Sequence, residues 1–320
     1  MSYDQLSGAS TPGTPNSNRL SLHYANSRES NETVELHWKN LSYSIAIKDS
    51  QKSTFGKPVY DKKCILKSIS GNAKSGEMLA IMGPTGCGKT SLLNVLAARV
   101  STEGSAFASL SGEVRVNGLI RDEDNFRGIS AYVLQDDLMY AHLTVFETLL
   151  LSAHFFLPTE LTNDAKTQLV VDVMTQLGLL KARDTIIGDE KLRGVSGGER
   201  KRANIAAQLI SDPAVLFLDE PTSGLDSFQA QSVMESMKEM ARNGRLVISV
   251  IHQPRSSIYQ MFDKLLLLSE GNTMFYGDAE SAVDYFAAKE FPCPALYNPA
   301  DFFLDLLSPD SRSIEAGKLS

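Results

Sequence analysis

The sequence predicts an α/β fold built on a mostly parallel sheet with helices on both faces. Three observations predict it. Short runs that are apolar throughout, "MLAIM", "AVLFLDE" and "RLVISVIH", are the kind of strand buried on both sides. Longer helical stretches alternate with them, as in a layered α/β domain. A glycine-rich stretch, "GPTGCGKT", sits between one such strand and the helix after it.

Each element follows in order. Residues 1–32 are rich in Ser, Asn, Thr, Gly and Pro and are read as a disordered tail, because they offer too little apolar surface to offset ordering entropy. A plain flexible leader and a phosphorylatable tail both fit that composition. From "VELHWKNLSYSI" the alternation is β, and "STFGKP" reads as a loop. "MLAIM" is a strand and "SLLNVLAARV" a helix; "ISAYVLQ" is the next strand. "TVFETLLLSAHFF" and "AKTQLVVDVMTQLGLL" are helices, the second ending near Gly178. "ERKRANIAAQLIS" is a helix stopped by "DP", and "AVLFLDE" is a strand. "SFQAQSVMESMKEMARNG" is a helix closed by glycine, and "RLVISVIH" is a strand. "KLLLLSEGNTMFYG" is a hairpin turning at Glu270, Gly271 and Asn272.

Composition excludes some functions. A net charge of −7 argues against a general nucleic-acid binder, which carries a basic excess. Cys64, Cys87 and Cys293 are widely spaced without a CxxC pair, so they read as reduced thiols rather than a disulfide or zinc framework. No secretory signal is visible, and no apolar run nears the about 18 residues of a membrane helix.

The chemistry begins at residues 83–90. Gly83, Gly88, Lys89 and Thr90 match G-x-x-x-x-G-K-[ST] in the required strand–loop–helix setting. The whole stretch, Gly83, Pro84, Thr85, Gly86, Cys87, Gly88, Lys89, Thr90 and Ser91, is expected to cradle ATP phosphates. Glycines let backbone N–H groups turn inward, and the helix N-terminus adds positive potential. Lys89 is expected to reach the β- and γ-phosphates and Thr90 to ligate Mg²⁺. The local N–H groups and Lys89 are expected to lower the pKa of Cys87, so that alkylation blocks ATP and ATP protects. Asp219 and Glu220 end an apolar strand and so reach the ligand edge of the sheet. Asp219 is the expected Mg²⁺ partner, and Glu220 the group that orients or deprotonates the attacking water. Solvated loop charge is the competing reading of such a pair.

"SGGER" at 196–200, followed by "LFLDEPTSGLD" at 216–226, resembles the ATP-binding cassette (ABC) family. "RGVSGGERKR", "HQPRSSIYQMFDKLLLLSEG" and "NPADFFLDLLS" resemble its G subfamily, the white-type half-transporters. The resemblance implies a P-loop NTPase core, an N-terminal antiparallel β subdomain and a helical signature subdomain at about residues 136–200. It places the nucleotide-binding domain at 33–307 and the start of a linker to an absent transmembrane domain at 308–320. Gln135 corresponds to the glutamine that touches Mg²⁺ or the attacking water and reports nucleotide state to the membrane domain. Ser196, Gly197 and Gly198 correspond to the signature, Asp226 to the D-loop, and His252 to the switch histidine at the γ-phosphate. The signature is expected to close on ATP held by a second ABC subunit, identical or related. Arg200, Lys201 and Arg202 are expected to form a solvated helix face or a membrane-domain contact, with phosphate steering the lesser alternative. Tyr43 is the candidate for stacking on adenine, with Ile45 as an apolar substitute; a buried core tyrosine fits equally. Phe146, Leu149, Leu150, Phe155 and Phe156 divide between core and an exposed patch in a way periodicity does not resolve. The implied function is ATP hydrolysis powering substrate export, from the cytoplasmic face of a membrane and without nucleic acid. A soluble ABC ATPase of translation or nucleic-acid machinery is the alternative.

Overall fold

The computed structural model describes residues 33–48, 60–100, 108–189 and 191–308. The expected tail, the "STFGKP" loop and residues 309–320 lie outside the described residues.

Strand β1 (Glu35–Lys48) pairs antiparallel with β2 (Tyr60–Lys74), burying Leu36, Trp38 and Leu41 on one face. Strand β3 (Met78–Met82) is buried at every position and leads through the glycine loop into α1 (Lys89–Leu96). Strand β4 (Ala108–Val116) returns to the other edge of β1, and a turn at Asn117 and Gly118 adds β5 (Leu119–Ile120). Both turn residues have positive φ (50° and 81°), the twist a tight hairpin needs. These strands form one sheet in the order β2-β1-β4-β5.

Helix α2 (Glu123–Ile129), capped by Asp122, precedes β6 (Ser130–Val133). Three helices follow: α3 (Val145–Phe156), α4 (Asn163–Gln176) and α5 (Gly197–Leu209). Each is N-capped by a Thr or Ser hydroxyl, and α3 and α5 carry full capping boxes. Strand β7 (Val215–Asp219), helix α6 (Ser227–Arg242) and strand β8 (Leu246–Val250) come next. Helix α6 buries Val233, Met234, Met237, Met240 and Ala241, a stripe at helical spacing. The chain then forms α7 (Ser256–Tyr259), the hairpin β9 (Lys264–Ser269) and β10 (Asn272–Asp278), α8 (Ala282–Ala287) and α9 (Pro299–Leu307).

The second sheet has the order β10-β9-β3-β8-β7-β6, parallel except for β10 at one edge. Alternation along β3 explains its uniform burial. Met78, Ala80 and Met82 join a core shared with α3–α6, whereas Leu79 and Ile81 join a core shared with α1, β1 and β2. The parallel strands all point the same way, so the residues just past β3, β8, β7 and β6 share one edge. Those residues include Gly83, His252, Glu220 and Gln135.

Candidate nucleotide site at the sheet edge

The glycine loop is held tightly against the strands beneath it. A Cβ on Gly83 would lie 2.1 Å from the Leu268 carbonyl oxygen, closer than atoms pack, so only glycine fits. Gly88, at φ 106°, caps α1 in a conformation other residues resist and accepts from Leu92 N–H at 2.9 Å. Lys89 is buried, and its Nζ donates to the Gly83 and Pro84 carbonyls at 2.8 and 3.0 Å. Thr85 and Gly86 are exposed at the loop's tip and Ser91 is half-buried on α1.

Cys87 departs from the sequence expectation. Its side chain is buried in the core beneath the loop, and its Sγ sits beside Gly83. Burial pushes its thiol pKa up, outweighing the Lys89 charge and local N–H bonds that lower it. The lowered pKa expected from the loop's positive potential is therefore corrected: desolvation is the larger effect.

The two acids have different surroundings. Asp219 is 7% exposed; its Oδ1 accepts from Thr90 Oγ1 at 3.1 Å and its Oδ2 from the Tyr132 hydroxyl at 3.2 Å. Burial holds its carboxyl above the usual Asp range despite those two bonds and Lys89, and the Glu220 charge adds to the rise. Burial and the Asp219 charge push the Tyr132 hydroxyl well above the usual tyrosine range, which keeps it a donor. The Arg99 guanidinium lies 4.4 Å from the centre of the Tyr132 ring. Tyr132 carried no motif signal, because a tyrosine in a short strand looks like core.

Glu220 has φ 47°, a left-handed backbone that costs a side-chain-bearing residue about 1–2 kcal/mol. Its N–H donates to Val250 O at 3.0 Å across the sheet edge, which holds the turn. Strand β6 stops at Val133, two residues short of the predicted end, so Gln135 lies on the loop beyond it. There Gln135 Nε2 donates to Glu220 Oε2 at 2.9 Å. His252 Nε2 lies 3.4 Å from Thr85 Oγ1, at the tip of the glycine loop. The structure thus brings Thr90 to Asp219, Gln135 to Glu220 and His252 to Thr85.

The signature stretch belongs to a separate neighbourhood. Ser196 caps α5, and its Oγ and N–H both donate to Glu199 Oε2, at 2.8 and 2.9 Å. Cβ atoms on Gly197 and Gly198 would meet Leu225 and Gln229, whereas the neighbours at Gly83 and Gly88 are Leu268, Ile65, Leu66 and Cys87. Asp226 caps α6 by accepting from the Phe228 and Gln229 N–H groups at 3.0 and 2.9 Å. The S-x-x-E spacing at Ser196–Glu199 was a readable capping-box signal that the motif reading passed over.

The three cations after the signature do not form a solvated face. Lys201 is 2% exposed, with Nζ 2.7 Å from both Gln135 O and Asp137 Oδ1. Arg200 Nη2 donates to the Ile187 and Gly188 carbonyls, and Arg202 is half-buried. The correction has a clear cause: Lys201 and Arg200 are bound to the loops at Gln135–Asp137 and Ile187–Gly188 instead of facing solvent.

Tyr43 is half-buried against the N-terminal core and sits opposite Leu66; Ile45 pairs with Lys63 and Ala108. Ile65, which sequence reading missed, lies against the loop itself, its Cγ2 3.4 Å from the Cβ position of Gly88. The apolar residues of α3 divide cleanly. Leu149 is buried and Phe146 and Leu150 pack on the core, but Phe155 is 78% exposed and Phe156 is exposed too. Phe155, Leu151 and Tyr140 line a surface groove of about 510 Å³ with Ala141, His142 and Leu143. Among the described residues no helix is long and apolar enough to cross a membrane. Nor do they include a group of three or more His, Cys, Asp or Glu suited to a metal ion.

A strand–glycine loop–helix unit, with a lysine at the start of the helix and acids at the end of a nearby parallel strand, defines a P-loop nucleotide-binding domain. Comparison with known proteins gives the family. A model described as ABC transporter matches residues 66–223. A second, described as ABC-2 type transporter, matches residues 252–314, a stretch whose described part folds as α7, the β9–β10 hairpin, α8 and α9. The Sus scrofa "Broad substrate specificity ATP-binding cassette transporter ABCG2" is 44% identical over 309 residues, covering 97% of this chain and 45% of that protein. The Dictyostelium discoideum "ABC transporter G family member 1" is 43% identical, covering 86% of this chain and 34% of that protein. The Arabidopsis thaliana "ABC transporter G family member 7" is 43% identical, covering 88% and 37%. The chain therefore spans less than half the length of these relatives. The solved "Dimeric Structure of MJ0796, a Bacterial ABC Transporter Cassette" shares the fold, with TM-score 0.59 and 22% identity over 76% of this chain and 98% of that chain. This chain belongs to the ABC transporter family, in its G-type branch.

Proposed function

We propose that the chain binds and hydrolyses MgATP between two cassettes and drives export through a transmembrane domain, from the cytoplasmic face of a membrane. The observation that carries this reading is a pair of contacts at one sheet edge: Thr90, just past the glycine loop, holds Asp219, and Gln135, on the loop after β6, holds Glu220. Phosphate oxygens are stronger acceptors for the Lys89 ammonium than the two carbonyls it now meets, because the bond becomes charge-assisted on both sides. The Thr90 hydroxyl, the Asp219 carboxylate and the Gln135 Oε1, which its Nε2 bond leaves available, are hard oxygen donors suited to Mg²⁺. Such an ion neutralises phosphate charge when bound. Glu220 takes the proton of the attacking water, and Gln135 fixes its carboxylate. His252, beside Thr85 at the loop tip, faces the γ-phosphate.

Adenine lies over the strip of β1 and β2 that holds Tyr43 and Ile65. Ser196, Gly197 and Gly198 complete the site of a second cassette, which fits their separate surroundings from the glycine loop of their own chain. The groove at Phe155 is the docking face for the membrane domain. The relatives' names, all transporters, favour this reading over a soluble ATPase.

Glu220→Gln tests it. ATP binding is retained while hydrolysis falls by about 10²-fold or more, the scale of a lost general base. Radiolabelled ATP binding and phosphate release measure the two. Hydrolysis at the unaltered rate removes Glu220 from its role.

A further inference from the structure

A buried lysine that the nucleotide chemistry leaves unused connects the signature helix to the hydrolytic acid. Lys201 sits in the second turn of α5, enclosed to 2% exposure. Burying an ammonium costs several kcal/mol unless partners replace water, and an apolar side chain would fill this site without that cost. Its partners are specific. Nζ lies 2.7 Å from the Gln135 carbonyl oxygen and 2.7 Å from Asp137 Oδ1. Asn204, one turn further along α5, donates to the same Asp137 Oδ1 at 2.7 Å. Two side chains on one face of α5 thus fix the loop at Gln135 and Asp137. Between residues 134 and 139 the loop's own backbone bonds are two short-range ones, Leu138 N to Asp136 O and Met139 N to Asp137 O, at 3.2 and 3.1 Å. Its shape is therefore set from α5.

We propose that Lys201 is a positioning residue for hydrolysis, holding the Gln135 peptide so that the Gln135 amide stays on Glu220. The path is α5, Lys201, Gln135, Glu220, and each step is a direct polar contact. Helix α5 begins at the Ser196 cap, so whatever engages the signature is felt at this chain's own acid. In a dimer, ATP held by one copy then adjusts hydrolysis in the other through the body of α5. The inference rests on the hydrolysis reading above. Glu220→Gln tests that reading, and the cycle below tests this one.

The test is a double-mutant cycle in the full-length protein, following phosphate release against ATP concentration. Lys201→Met, which keeps the length and loses the charge, lowers kcat about tenfold, within the range of coupling between contacting residues, and leaves KM for ATP within about twofold. In a Gln135→Ala background the same substitution brings no further loss. An undiminished kcat in Lys201→Met overturns the proposal, and so does a loss of equal size in both backgrounds. If Lys201→Met lowers thermal stability, the Lys201→Met, Asp137→Leu double variant removes both charges of the pair and restores it. A kcat that stays low in that stable protein supports the proposal; a kcat that recovers overturns it.

Discussion

At the scale of single residues, Asp219 shows how the site trades stability for chemistry. Its carboxyl is held above the usual range mainly by burial, so ionising it costs folding free energy. The sign follows from linkage. A group whose folded pKa exceeds its unfolded value contributes stability below the unfolded pKa and loses it as pH rises through the folded one. Asp219→Asn removes the charge but keeps an acceptor for Thr90, so the nucleotide-free fold melts about 2–4 °C higher, as expected for a gain of about 1 kcal/mol. The same variant loses Mg²⁺-dependent hydrolysis. Thermal melts without nucleotide and phosphate-release assays check both halves, and a lower melting temperature contradicts the claim that the charge is a burden. Asp219 was legible from its place at the end of an apolar strand. Tyr132, which donates to it, was not, and neither was Lys201. A tyrosine in a strand and a lysine in a basic run take their roles from partners 87 and 66 residues away in sequence, and motif spacing does not carry such distances.

At the scale of elements, α5 has two demands on one end. On the proposed reading its N-terminus receives phosphate from a second cassette, yet the Ser196 hydroxyl and N–H are already satisfied by Glu199. The Glu199 carboxylate fixes the helix start and also places negative charge where phosphate is to come. Glu199→Gln keeps the capping box and removes the charge. It tightens ATP-dependent association of cassettes up to about fivefold, for a surface charge effect near 1 kcal/mol. Glu199→Ala loses the reciprocal cap and destabilises the fold by about 1 kcal/mol. Sedimentation in the presence of ATP and chemical denaturation separate the two effects; weaker association in Glu199→Gln contradicts this account. Elements with strong period were readable: β3, β7 and β8 from uniform apolarity, α6 from its apolar stripe, the β9–β10 hairpin from its glycine turn. Strands β4 and β5 and helices α2, α7, α8 and α9 were not assigned. Strand β4 exposes much of its length, β5 spans two residues, and α2 and α8 are only 7 and 6 residues long, too short to show a period.

At the scale of the whole molecule, the decisive question is whether each hydrolytic centre is made by one copy or two. The glycine loop and the signature have no neighbours in common among those flanking their glycines: Gly197 and Gly198 lie against Leu225 and Gln229. A site shared between copies predicts that two dead variants restore one another. Lys89→Ala disables the glycine loop and Ser196→Arg disables the signature, so each alone is inactive. When the two are mixed, the loop of the Ser196→Arg copy meets the intact signature of the Lys89→Ala copy and forms one whole centre. The opposite centre then carries both lesions. Random pairing of equal amounts makes about half the dimers mixed, each with one good centre of two, so activity returns to about a quarter of the unaltered level. A site complete within one copy gives no recovery at any ratio. Phosphate release from co-expressed, doubly tagged protein distinguishes these results, because purification through both tags selects the mixed dimer and doubles the expected recovery. Dead protein after that selection would place the signature's partner within its own chain.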